Sequence, residues 1–433
     1  MKFYSTQQKS PMVGLQEAVM NGLAPDGGLY MPSQIPSLPN DFFKKANSMS
    51  FQDIAFEVSK NFFMPDLPKN TLLDIVRESF NFDVPLVELD KQMYVLELFH
   101  GPTCAFKDFA ARFMARLFEF FAEQSQREIT IVVATSGDTG SAVAHGFLNV
   151  KGIKVTILYP SGKVSPLQEK QLTGMGQNIT ALEVEGTFDD CQRLAKQAFL
   201  DKELKEKMTL ASANSINIAR LIPQSFYYVY LSAQLGKKGL PIVISVPSGN
   251  FGNLTAGIVA KKMGAPISKF VAATNSNDVV PRYLQTGYFQ AKPSISTISN
   301  AMDVGNPSNF SRMLELYDND VTKMRDDIYG VSFSDVETKK AISNIFKEHQ
   351  YIMDPHGAIA YLGLVDFMQK FKGYTGVFLE TAHPAKFFEE VEKVTNSTIP
   401  MPERLSQYLK RKKSALVIKN QFDDLKNVLL NKN

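Results

Sequence analysis

The sequence predicts an α/β protein with two lobes of parallel sheet covered by helices, preceded by an N-terminal subdomain. Three observations carry this expectation. After Pro85, short apolar runs alternate with amphipathic helical stretches, the pattern of strands buried on both faces. The runs are Met93 to Phe99, Thr130 to Ala134, Lys154 to Tyr159, Thr180 to Val184, Pro241 to Val246, Lys269 to Thr274 and Gly376 to Glu380. Before Asp83 the chain mixes helices with turns, including the dense cluster Ala24-Pro25-Asp26-Gly27-Gly28. Finally, 433 residues suit two lobes better than one sheet of so many strands. The expected boundaries are 1–85 for the N-terminal subdomain, 86–128 with 214–395 for a large lobe, 129–213 for a small lobe, and 396–433 for a C-terminal helical extension.

Composition narrows the function. Apolar residues make up 44% and charged residues 21%, as in ordinary globular proteins. A formal net charge of +3 is too small to argue for nucleic acid or a membrane surface, yet it suits anionic small molecules such as phosphates. Cys104 and Cys191 are far apart and the five histidines form no HxxxH or HExxH pattern, so no metal site is expected. The N-terminus MKFYSTQQKS lacks an apolar signal region, and no stretch approaches a membrane span. The basic run Lys410-Arg411-Lys412-Lys413 reads as a solvated helix end. The expectation is a cytoplasmic protein, monomer or homodimer, acting on a small molecule without nucleic acid, membrane or a protein partner.

The elements that carry chemistry follow in chain order. His100-Gly101-Pro102-Thr103-Cys104-Ala105-Phe106-Lys107-Asp108 leaves the strand at Phe99 and enters a helix expected over Ala105 to Phe121. A lysine in that first turn meets the positive end of the helix dipole in partly apolar surroundings, and both favour the neutral amine. A neutral amine is a nucleophile toward aldehydes. After the strand ending at Ala134 comes Thr135-Ser136-Gly137-Asp138-Thr139-Gly140-Ser141, then a helix from Ala142 to Asn149. After the strand ending at Val246 comes Ser248-Gly249-Asn250-Phe251-Gly252-Asn253, then a helix from Leu254 to Met263. Strand, glycine loop and helix start together aim backbone N–H groups and a dipole end at one point, which suits an anion. Neither loop has Walker A spacing, and neither gives GxGxxG, so a dinucleotide is disfavoured. A phosphorylated aldehyde and a second anion would fill two such loops beside an imine-forming lysine.

These residues resemble a known family. HGPTCAFKD (100–108), ATSGDTGSAVAHGF (134–147), NSINIARLIPQ (214–224), VPSGNFGNLTAG (246–257) and ETAHPAKFFE (380–389) look, in this order, like the threonine synthases. The resemblance extends from Gly22 to Tyr30 and past Met302 to Asn309, and the N-terminal subdomain matches the long form of that enzyme. It implies the tryptophan synthase beta-like architecture, fold type II of the pyridoxal-phosphate enzymes, and pyridoxal 5'-phosphate as cofactor. It further implies a carbon–oxygen lyase that converts O-phospho-L-homoserine and water to L-threonine and phosphate.

Carried over by position, Lys107 would hold the cofactor covalently and act as the catalytic base. Gly249, Asn250, Phe251, Gly252 and Asn253 would bind its phosphate. Thr381 would meet the pyridine nitrogen, and Asp138 lies in the loop that approaches the phenolic oxygen. Ser136, Thr139, Asn214, Ser215 and Arg220 match positions that bind the substrate phosphate, a task for which the planar Arg220 fork is suited. His100 and His383 read either as neighbours of the cofactor or as turn residues. Asn275 and Asn277 read as caps, and Asn306 to Asn309 as cleft lining or a cap. None of these enters the catalytic set. A phospholyase releasing a 2-oxo acid from O-phosphohomoserine or O-phosphothreonine would share Lys107 and both loops. A non-catalytic sensor of aminoacyl phosphates would not need Lys107 as a base.

Overall fold

Two large sheets organise the chain, and a small third one pairs Phe3–Ser5 with Tyr30–Pro32. The computed structural model describes residues 1–39, 41–64, 66–236 and 239–431, so the last two residues of the expected 396–433 extension lie outside the described residues. The residues group into two units, one holding Met1, Met31–Phe106 and Leu221–Met401, the other Lys2–Tyr30, Lys107–Arg220 and Pro402–Asn433.

The first unit is built on a six-stranded sheet. Its order is Ile328–Ser332, Ile267–Thr274, Ile242–Pro247, Thr375–Glu380, Met93–Glu97 and Leu86–Asp90, parallel except for the last pair. The inner strands read IVISVP and TGVFLE and are buried at every residue, as strands covered on both faces must be. The helix Pro355–Lys370 packs on four strands of this sheet. The helix Phe51–Phe63 starts at a capping box in which Ser50 Oγ accepts from Asp53 N while Asp53 accepts from Ser50 N. Its Phe51 ring meets Phe80 and Tyr230 edge-on at 5.3 and 5.6 Å, which docks it on the helix Ser225–Leu235.

The second unit holds a five-stranded, fully parallel sheet. Its order is Leu416–Lys419, Ile179–Glu185, Ile153–Pro160, Ile129–Ala134 and Thr209–Ala211. Helices Lys107–Ser125, Asp138–Gly146, Pro166–Thr173 and Phe188–Leu200 connect or cover these strands. A core of Val132, Leu158, Leu182, Val184, Leu194, Ile418 and Leu425 joins the C-terminal residues to the sheet. Within residues 396–433 a strand, Leu416–Lys419, lies between the helices Glu403–Leu409 and Phe422–Asn431.

All seven apolar runs read from the sequence are strands. The lysine-bearing helix begins at Lys107, two residues later than expected. Cys104 takes a left-handed φ of 55° and Ala105 forms a bridge with Ala382, so the backbone is extended until Phe106 donates its N–H to Thr381 O. In both glycine loops, by contrast, the helix starts earlier than expected, at Asp138 and Gly252.

Candidate active site

The expected site residues divide between the two units. Lys107, Ser136, Asp138, Thr139, Asn214, Ser215 and Arg220 belong to the second, and the Gly249–Asn253 loop and Thr381 belong to the first.

In the second unit Lys107 is the first residue of its helix, and its Nζ lies 3.9 Å from Asp138 Oδ2. Asp138 is itself the first residue of a helix, a favourable place for a carboxylate. Its Oδ1 accepts from Gln168 Nε2 at 2.9 Å. Gln168 is fully buried and occupies the third helical position after Ser165, where its Oε1 also accepts from Ser165 N. One amide thus closes a capping box and orients Asp138. Gly137 makes this possible: its φ of 139° disfavours any side chain, and a methyl there would lie 2.7 Å from Gln168. Thr135 Oγ1 folds the loop by accepting from Gly137 N and Gly140 N, which leaves the hydroxyl-bearing Ser136 and Thr139 half-buried at its rim.

The 214–220 segment of the same unit is pinned by Asn217. Its Nδ2 donates to Val19 O and Ser212 O, and its Oδ1 accepts from Ala219 N. Asn214 Oδ1 is buried without a partner, so to serve a phosphate its amide must turn to present Nδ2. Arg220 is buried, with Nη1 donating to Ala213 O at 2.6 Å. Burial pulls its pKa down to about 10, and the charge of buried Asp108 acts in the opposite direction. The guanidinium stays charged at neutral pH, a buried cation suited to an anion.

In the first unit the strand Ile242–Pro247 runs into the glycine loop and the helix Gly252–Lys262. Phe251, the residue before this helix, holds a left-handed φ of 59°, a conformation costly for a bulky side chain and concentrated at ligand clamps. Asn250 Oδ1 accepts from Ser308 N at 2.5 Å, so that oxygen serves the protein. Asn253 is arranged differently. Its Oδ1 accepts from both Tyr227 and Tyr228 hydroxyls at 2.7 Å, and burial pushes both phenols well above their usual range, which keeps them donors. Asn253 Nδ2 is left buried without an acceptor at the start of a helix. An orphan donor beside a strained loop and a helix N-terminus fits an anionic oxygen from a ligand. Thr381 follows the last residue of a buried strand, and its carbonyl accepts from Phe106, the residue before Lys107.

The residues held outside the catalytic set have definite tasks. His100 Nε2 pairs with Glu97 at 2.6 Å, and His383 Nδ1 accepts from Ala385 N, so both hold turns. Asn275 and Asn277 do not cap a helix: the residue before the helix Val279–Thr286 is Asp278, and both asparagines donate to Asp303. They fasten residues 295–303. Residues that sequence reasoning passed over are Gln168, Asn217, the Tyr227–Tyr228 pair and Asp108. Only Gln168 had a local signal, the S-x-x-Q spacing of Ser165 and Gln168.

Comparison with known proteins gives the relatives of this arrangement. Residues 80–381 match the family model described as pyridoxal-phosphate dependent enzyme, residues 2–80 that of the threonine synthase N terminus, and residues 358–429 that of the threonine synthase C-terminal region. The chain is 44% identical to threonine synthase of Haemophilus influenzae, over 99% of this chain and 100% of that one. The crystal structure of threonine synthase from Escherichia coli superposes with a TM-score of 0.93 at 40% identity, covering all of both chains. The structure of pyridoxal-phosphate-bound threonine synthase from Brucella melitensis superposes with a TM-score of 0.94 at 35% identity, covering 100% of this chain and 99% of that one. The architecture is therefore fold type II, with the expected N-terminal subdomain. Lys107 with its carboxylate neighbour lies in one unit, and the Gly249–Asn253 loop with the unpartnered Asn253 Nδ2 in the other. The chain belongs to the threonine synthase family of pyridoxal-phosphate dependent enzymes.

Proposed function

We propose that this protein acts as a carbon–oxygen lyase on O-phospho-L-homoserine, eliminating phosphate from Cγ and adding water at Cβ to give L-threonine. The observation that carries the reading is Arg220, a buried guanidinium on the same unit as Lys107 and Asp138, in a segment rich in hydrogen-bonding side chains. An enzyme of this fold acting on an unphosphorylated amino acid has no need of such a cation.

Lys107 would hold pyridoxal phosphate covalently, Gly249, Asn250, Phe251, Gly252 and Asn253 its phosphate, Asp138 the region of its phenolic oxygen, and Thr381 its pyridine nitrogen. When bound, that cofactor takes up the electrons left at Cα on loss of a proton. Lys107, as the free amine, accepts the Cα proton and can return it. Asp138, oriented by Gln168, keeps an electrostatic partner beside that amine whichever form it takes. Arg220, with Ser136, Thr139, Asn214 and Ser215, holds the substrate phosphate, orients the Cγ–O bond and receives the charge that develops as it breaks. Both cysteines are free and buried, in keeping with a reducing cytoplasm, and no helix among the described residues is long and apolar enough to cross a membrane.

Incubating the cofactor-loaded protein with O-phospho-L-homoserine tests the proposal. Phosphate and threonine in equal amounts are expected. Phosphate with 2-oxobutyrate would make the protein a phospholyase instead, and turnover of neither kind would sink both readings.

A further inference from the structure

The glycine loop is backed by a short turn. At Gly249 a methyl group would lie 2.7 Å from Met302 Cα and 2.8 Å from Ala301 O, so the backbone of the turn Asn300–Met302 sits directly on the loop. The flanks of this turn are fastened by Asn275, which donates to Ser299 and Asp303. Its middle is fastened by a histidine 55 residues away, where Ala301 N donates to His356 Nε2 at 3.2 Å.

His356 is 3% exposed, and its tautomer follows from its partners. A backbone N–H can only donate, so Nε2 must be the unprotonated acceptor. Nδ1 then carries the proton and donates to Asp354 Oδ1 at 2.5 Å. Asp354 is held in turn: it caps the helix Pro355–Lys370 by accepting from His356 N and Gly357 N, and its own N–H donates to Glu380 Oε1 at 2.6 Å. Glu380 is fully buried at the end of the central strand, and Thr381 follows it. The Phe387 ring meets the imidazole at 5.0 Å and 60°. The ring is thus gripped by a helix cap on one side and presents a single acceptor to the loop-backing turn on the other. Nothing in the reaction proposed above uses this histidine.

We propose that His356 is a positioning residue: through Ala301 it clamps the Asn300–Met302 turn against Gly249 and so sets the shape of the loop that takes the cofactor's phosphate. The inference rests on the reading that Gly249 to Asn253 bind that phosphate. It assigns the histidine to the phosphate end of the cofactor and to no step at the reacting carbons.

The test uses the full-length holoenzyme with two substitutions that split the two hydrogen bonds. His356→Gln reaches the Nε2 position and keeps an acceptor for Ala301. His356→Asn keeps a donor for Asp354 but falls short of Ala301. Amide hydrogen exchange at Ala301 should quicken in the Asn variant and stay slow in the Gln variant, a readout that needs no turnover. Affinity for pyridoxal phosphate should fall at least about tenfold in the Asn variant, the loss of one buried hydrogen bond, and within about threefold in the Gln variant. Affinity for pyridoxal, which lacks the phosphate, should change little in either. Equal weakening of both ligands in the Asn variant, or unchanged affinity despite faster exchange at Ala301, would overturn the inference. Asn253→Ala serves as the control: if it leaves the preference for the phosphorylated form intact, the loop is not the phosphate site and the inference falls with that reading. If it abolishes the preference while the His356 variants do not, only the role of His356 is refuted.

Discussion

Arg220 carries a cation into a site with almost no access to water, and such a charge is tolerable only with well-placed partners. Ala213 O takes one N–H, and Asp108 favours the charged form through space. Lysine at this position would keep the charge but lose the planar fork with which a guanidinium can hold a phosphate through two bonds. Arg220→Lys is therefore expected to lower kcat/KM for O-phospho-L-homoserine by about 10- to 100-fold, roughly 1.4–2.8 kcal/mol of transition-state stabilisation. Steady-state kinetics would check this, and a variant within twofold of the parent would remove Arg220 from the site. Lys107 and Arg220 could be singled out from the sequence because the proposed chemistry lies in their own side chains. Gln168, His356 and Asn217 were not, because their meaning lies in partners 30, 55 and 198 residues away. A glutamine or histidine that orients another group has no local mark unless, like Gln168, it also closes a capping box.

At the scale of elements, the long buried strands announced themselves through runs of Val, Ile and Leu, whereas four short ones of the two large sheets did not. Thr209–Ala211 has three residues, Ile328–Ser332 contains Gly330, Leu416–Lys419 follows a basic run, and Leu86–Asp90 alternates charge with apolar residues. Each lies at a sheet edge, where pairing on one side and sheet context do the work that hydrophobicity does at the centre. The two glycine loops were legible as strand–loop–helix turns, but the reason for glycine at position 249 was not. Gly249 is required by the close approach of the Asn300–Met302 backbone, a turn distant in sequence. Gly249→Ala is accordingly expected to push the loop and the turn apart, weakening pyridoxal phosphate binding by tenfold or more and destabilising the protein by about 1–3 kcal/mol. Spectrophotometric titration with the cofactor and a urea unfolding curve read the two effects separately. Alanine tolerated in both would show that the approach relaxes without cost.

For the whole molecule, a half-buried histidine and a buried glutamate on different units bend the pH dependence of stability in opposite senses. His145, on the helix Asp138–Gly146, is held neutral: burial, with the charges of Arg112 and Arg411, pulls its pKa from 6.5 down to about 4. Between about pH 4 and 6.5 the unfolded chain binds a proton here that the native chain refuses, so stability rises with pH. Glu380 behaves oppositely. Burial, then the neighbouring Asp354 carboxylate, pushes its pKa well above 4.5, so the native chain keeps a proton that the unfolded chain releases. Its contribution is complete below pH 4.5 and is lost as pH rises through the folded value. Where the two windows overlap above pH 4.5 the slopes, each up to about 1.4 kcal/mol per pH unit, offset one another. Glu380→Gln, which copies the protonated acid, should therefore gain on the parent as pH rises above 4.5. His145→Gln, whatever its constant offset, should gain on the parent as pH falls from 6.5 toward 4. Scanning calorimetry of the three proteins from pH 4.5 to 9 measures both differences. Curves that stay parallel to the parent for Glu380→Gln would mean that burial does not hold a proton on this carboxylate in the native state.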